Sequence, residues 1–138
     1  MRYELLNGSN LAYIGDAYFE LVVRKYLIDK GFSKNEDLMK ESIKYVSASA
    51  HTKIYEKIKN EFTEVELDIF KRGKNNRSGN HRKNIDRKEH AISTGLEAVI
   101  GYLYLKNEFE RLDYLMNLIL NLGEEKWLFL VKILREKQ

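Results

Sequence analysis

The chain has 138 residues and contains neither cysteine nor proline, although average usage would give roughly seven prolines. Without cysteine there is no disulfide framework, no thiolate metal site and no cysteine nucleophile, so secreted mini-protein and zinc-finger classes are excluded. Without proline, nothing forces a break in a helix. Also missing is any apolar run near the ~20 residues needed to cross a bilayer. The opening Met1-Arg2-Tyr3-Glu4 lacks the charged-then-apolar layout of a signal peptide. These absences lead us to expect a soluble, cytoplasmic protein, and the length suits one domain spanning 1–138 with a real core.

What is present is unevenly distributed. The net charge is only +3, but residues 71–90 hold eight Lys and Arg (Lys71, Arg72, Lys74, Arg77, Arg82, Lys83, Arg87, Lys88) against Asp86 and Glu89, a local charge of +6. The other 118 residues keep 16 basic and 19 acidic side chains. A slightly acidic body with one basic strip suggests an anionic partner. The strip has Ile85 as its only large apolar residue, together with Gly73, Gly79 and four asparagines, so it reads as a solvated loop.

Elsewhere the apolar spacing is helical. Ser9 is a candidate cap for a helix over 10–30 through Leu11, Ile14, Tyr18, Leu21, Val22 and Val23, with Gly31 as its stop. A second amphipathic stretch opens at Asn35 and continues past Ser47 and Ser49 to Ile58, as one bent helix or two. Thr63-Glu64-Val65-Glu66 reads as a capping box before a short helix. The pattern resumes over 87–106, 108–121 and 124–137, the last two separated by Gly123. Strand-like alternation is nowhere sustained, so we expect one all-α bundle of about six or seven helices.

Two acids sit in unusual company. Asp16 lies in LAYIGDAYFELVV and Glu97 in ISTGLEAVIGYLYL, where an ionised carboxylate is costly unless paired with a cation or metal. Gly15 and Ala17 flank the first; Gly95, Ala98 and Gly101 surround the second. A glycine inside a helix costs about 1 kcal/mol relative to alanine, which close helix approach or room for a ligand would explain. Crossing the two helices would bring Asp16 and Glu97 together as a hard oxygen site suited to Mg²⁺ or Mn²⁺. With the basic strip, that reads as metal-assisted phosphodiester hydrolysis. The plainer alternative has Asp16 reaching solvent, Glu97 paired with a Lys or Arg, and the strip merely solvated. His51, His81 and His90 lack metal spacing, and the helix aromatics are assigned to the core. The strip has no Phe, Tyr or Trp to stack on unpaired bases, so a nucleic-acid partner would be a duplex met through backbone and shape.

Tyr13-Ile14-Gly15-Asp16-Ala17 and Leu96-Glu97-Ala98-Val99-Ile100-Gly101 resemble, in order and in their ~80-residue separation, the two signature segments of the ribonuclease III catalytic domain. LAYIGDAYFELVVR, VSASAH at 46–51, KRGKNNRSG and STGLEAVIGYLYL are most similar to the branch lacking a double-stranded RNA-binding domain, over about residues 9–106. The resemblance implies a homodimeric endoribonuclease that cuts double-stranded RNA with Mg²⁺ and leaves 5′-phosphate and 3′-hydroxyl ends, in ribosomal RNA maturation. It implies Asp16 and Glu97 as catalytic and metal-holding carboxylates, and Lys71, Arg72, Lys74, Asn75, Arg77, Arg82, Lys83 and Asn84 as RNA contacts. Tyr13 matches an aromatic that plugs into the partner subunit, its competing place being the monomer core.

The sequence also departs from the larger enzymes of that family. They carry a second glutamate and a second aspartate where this chain has Ala12 and Thr94, which leaves the metal site poor in ligands; Glu20, one turn after Asp16, is a candidate additional acid. The strip also lacks the family loop's usual proline, having His81-Arg82-Lys83-Asn84 instead. Two further readings therefore stand beside the nuclease: a non-catalytic helical module that binds double-stranded RNA, and a helical domain whose basic strip docks on an acidic protein.

Overall fold

In the computed structural model the described residues are 1–76, 86–122 and 127–137, those of 127–131 by backbone alone. Among them are seven α-helices and no strand: α1 (Gly8–Asp29), α2 (Asn35–Val46), α3 (Ala48–Ile58), α4 (Glu64–Lys74), α5 (Arg87–Leu105), α6 (Phe109–Leu120) and α7 (Trp127–Glu136). Short 3-10 turns precede α1 (Tyr3–Leu5) and α4 (Lys59–Glu61). None of the described helices is long and apolar enough to cross a membrane.

Local chemistry accounts for the helix ends. Asn7, not Ser9, caps α1: its Oδ1 accepts the Asn10 N–H at 2.8 Å, leaving Ser9 inside the first turn. At the far end, Gly31 takes φ +103°, its N–H bonds the Ile28 carbonyl and that of Phe32 the Leu27 carbonyl, closing a Schellman motif that wants a residue without Cβ. Ser47 resolves the bent-or-broken question after residue 35. Its extended backbone ends α2, and its hydroxyl accepts the Ala50 N–H to begin α3, so there are two helices. The Thr63 and Glu66 capping box forms as read. Glu66, almost fully buried, also receives Arg111 of α6 in a two-pronged ion pair at 2.8 and 2.9 Å.

The core is built around α5, which buries residues on every side, as expected of a helix enclosed by others. Its Ile92, Leu96, Val99, Ile100 and Leu103 join Leu11, Phe19 and Val23 of α1, Ile54 and Ile58 of α3, Ile69 and Phe70 of α4, and Leu112 and Leu115 of α6. Apolar spacing misassigned some residues to this core. Leu21, Tyr104 and Phe109 are exposed, because an amphipathic pattern identifies a stripe without saying how wide a stripe its neighbours cover.

The basic strip needs correction at its start, whereas its end joins the helix expected over 87–106. Lys71, Arg72 and Lys74 belong to α4, and Arg87 and Lys88 open α5 behind the Asp86 cap. Helix α4 continues through Gly73 because that residue sits flush on α5: a Cβ there would lie 2.8 Å from the Ala98 methyl and 2.9 Å from the Thr94 carbonyl oxygen. Arg77, Arg82, Lys83 and Asn84 lie outside the described residues.

Candidate active site

Helices α1 and α5 touch backbone to backbone. A Cβ built on Gly15 would fall inside the Glu97 carbonyl, and one on Gly101 inside the Leu11 carbonyl. The two glycines therefore let the helices approach until the neighbouring side chains, Asp16 and Glu97, share a hydrogen bond. The acids differ in setting. Asp16 is exposed, so the expectation that its helix face is covered is corrected, whereas Glu97 is half-buried below it.

The electrostatics follow from this placement. Burial, the hydrogen bond with Asp16, and the charges of Asp16 and Glu20 together push the Glu97 carboxyl up to about 9, opposed by the Ser93 hydroxyl. No Lys or Arg among the described residues is ion-paired with Asp16 or Glu97, while Glu20 is paired with Arg24 at 3.2 Å. Two carboxylates meeting at an opening to solvent are hard-oxygen donors and fit a divalent cation. Among the described residues no group of three His, Asp or Glu could complete a protein cage. Most of an Mg²⁺ shell would then be water and phosphate oxygens, as is usual for that ion.

Neither position of the missing acids offers a substitute carboxylate. Ala12 is buried, and the Thr94 hydroxyl donates to the His90 carbonyl at 3.0 Å.

One residue dismissed by spacing lies close to the pair. His51 of α3 is 1% exposed, and its Nδ1 lies 2.7 Å from the Ser93 hydroxyl oxygen. Burial lowers its pKa to about 4, against the pull of the Asp16 charge and the Tyr45 carbonyl. No linear motif joins residues 51 and 93; only the packing of α3 on α5 does.

The described basic residues divide by role. The last turn of α4 crosses α5 at Thr94–Ala98, the turn carrying Glu97, which places exposed Lys71, Lys74 and Asn75 on the element beside the acids. Arg72, by contrast, donates from Nη1 to the Glu4 and Leu6 carbonyls and ties down the N-terminal segment. Tyr13 is 79% exposed, which excludes it from the core of this chain.

Comparison with known proteins agrees with this arrangement. Residues 9–108 match the Ribonuclease III domain family. Over 125 residues the chain is 43% identical to a Mini-ribonuclease 3 of Clostridium tetani, covering 87% of this chain and 80% of that one. It is 42% identical to one of Staphylococcus aureus, covering 89% and 93%. A crystal structure of a Fusobacterium nucleatum protein superposes with a TM-score of 0.76 at 32% identity, covering 85% of this chain and 93% of that one. An all-helical fold, two glycine-crossed helices presenting paired acids, and these similarities together place the chain in the ribonuclease III family, on its Mini-ribonuclease 3 branch.

Proposed function

We propose that this chain hydrolyses phosphodiester bonds of double-stranded RNA with a divalent metal ion, Mg²⁺ or Mn²⁺, at Asp16 and Glu97. It is an endoribonuclease of its family, and the observation that carries the site assignment is the Gly15–Gly101 crossing that joins the two carboxylates. Asp16 and Glu97 hold the ion, which when bound supplies Lewis-acid charge to the scissile phosphate. The Ser93 hydroxyl donates to ionised Glu97, and the exposure of Asp16 leaves the pair open to a duplex too wide to enter a pocket. Lys71 and Lys74 meet backbone phosphates. Water adds at phosphorus, the bond to the 3′ oxygen breaks and that oxygen takes a proton, leaving 5′-phosphate and 3′-hydroxyl ends.

The substrate we propose is a ribosomal RNA precursor in the cytoplasm, on the strength of the Mini-ribonuclease 3 likeness. The working unit is a homodimer with Tyr13 at its interface. Exposed Tyr13, Ala17 and Leu21 form an apolar stripe along α1 that a second copy would cover.

Incubation of defined duplex RNA with Mg²⁺, with product ends mapped, tests the assignment. Asp16→Asn and Glu97→Gln each abolish cleavage while keeping the helical circular dichroism spectrum; undiminished cutting by either overturns the site. The replacement of family acids by Ala12 and Thr94 favours one other reading, a module that binds duplex RNA without cutting it. Retained binding with no cleavage across Mg²⁺ and Mn²⁺ concentrations would establish that reading instead.

A further inference from the structure

We propose that His51 is a positioning residue for Glu97, acting through the Ser93 hydroxyl. The proposal rests on the reading of Glu97 as a metal-holding carboxylate.

The argument is one of donors and acceptors. Ser93 and Glu97 are four residues apart on α5 and so share a face, close enough for the Ser93 hydroxyl to act as a donor that lowers the Glu97 pKa. Glu97 keeps its proton at neutral pH in the metal-free protein, but with an ion bound its carboxylate is ionised and only accepts, and a serine hydroxyl has one hydrogen to give. Once Ser93 donates to Glu97, the 2.7 Å hydrogen bond between Ser93 Oγ and His51 Nδ1 must be donated by the histidine. Neutral His51 is then protonated on Nδ1, and a directed chain runs from His51 through Ser93 to Glu97.

The surroundings hold this chain in place. His51 is 1% exposed and Ser93 8%, and the Phe19 ring packs edge-on against the imidazole with centroids 4.7 Å apart, so neither side chain has water as an alternative partner. His51 Nε2 is buried without a hydrogen bond of normal geometry, as suits an unprotonated nitrogen. The competing tautomer would carry its proton on Nε2 and let Ser93 turn its hydrogen to the imidazole, taking it from Glu97. Through this device α3, which supplies no carboxylate, fixes the orientation of one on α5.

Outer partners of metal-holding side chains are worth about 10–100-fold in metal affinity. The test reads Mg²⁺ affinity from metal-induced stabilisation of the full chain, without RNA, in wild type, His51→Ala, His51→Asn, Ser93→Ala and Glu97→Gln. Nitrogen-15 spectra of the imidazole, recorded at saturating Mg²⁺, report the tautomer. We expect an Nδ1-protonated neutral ring, affinity lowered about tenfold or more by His51→Ala and Ser93→Ala, and recovery in His51→Asn, whose amide N–H can replace Nδ1–H. Should His51→Ala fail to fold, Ser93→Ala and the wild-type spectrum decide the matter. An Nε2-protonated ring, or unchanged affinity in Ser93→Ala while Glu97→Gln loses it, overturns the positioning role alone. Unchanged affinity in Glu97→Gln overturns the metal reading of Glu97 and the positioning role with it.

Discussion

At the scale of the residue, Glu97 and His51 give the protein opposing pH responses. The Glu97 carboxyl titrates at about 9 when folded and near its ordinary 4.5 when unfolded. The folded state therefore holds the proton more tightly across that interval, and stability falls as pH rises from about 4.5 to about 9. His51 is lowered from 6.5 to about 4, so the unfolded state binds its proton first and stability falls as pH drops through that window. The two slopes cancel where the windows overlap, so without divalent ions urea unfolding should show its greatest, nearly level stability from about pH 4.5 to 6.5 and a loss from there to about 9. Glu97→Gln, which cannot ionise, should remove the loss on the alkaline side; an equal alkaline loss in the variant would show that Glu97 does not cause it. Added Mg²⁺ should restore wild-type stability near pH 9, because a ligand that binds only the folded state stabilises it by mass action.

At the scale of the element, the controlling feature is the close approach of α1 to α5. Gly15→Ala places a methyl inside the Glu97 carbonyl, and the obstacle is backbone that no rotamer change can move. We expect destabilisation of about 3 kcal/mol or more, measured by chemical denaturation. The helices must separate, so cleavage should fall even at temperatures where the variant stays folded. Gly31→Ala is the control: a Cβ there meets nothing within 4 Å, and its strain comes from φ +103° alone. It should cost about 1 kcal/mol and leave cleavage intact. Equal losses of activity in the two variants would argue against the crossing as the source of the site geometry.

At the scale of the whole molecule, basic residues adjacent in sequence serve different ends. Lys71→Ala with Lys74→Ala should weaken duplex RNA binding and reduce the salt dependence of affinity by about one unit of slope for each phosphate that is no longer neutralised. Arg72→Ala should act mainly on stability, since its guanidinium holds the Glu4 and Leu6 carbonyls. Binding isotherms over a salt series with parallel thermal melts separate the two; an unchanged slope in the double lysine variant would make those lysines ordinary surface charges. The exposed α1 stripe makes a prediction at the same scale. Sedimentation should give a dimer that Tyr13→Ala with Leu21→Glu converts to monomer, and a wild-type monomer would remove Tyr13 from any subunit interface.

The amino-acid sequence by itself determined the helices, most of their ends and the identity of the paired acids. Those depend on short-range spacing, on capping groups within a few residues, and on carboxylates conspicuous among apolar neighbours and glycines. It misread α1's cap by two residues and assigned Leu21, Tyr104 and Phe109 to the core, because exposure depends on which neighbours cover a stripe. It also read the start of the basic strip as loop, since a glycine in a polar run looks the same whether it turns the chain or presses it against another helix. Only the tertiary structure decided that Gly73 does the latter, that Arg72 is a tie, and that Asp16 faces solvent while Glu97 is half-buried. The link from His51 to Ser93 spans 42 residues and follows no local period. It exists because α3 and α5 pack together, and hydrogen bonds between packed helices are set by where side chains meet in space.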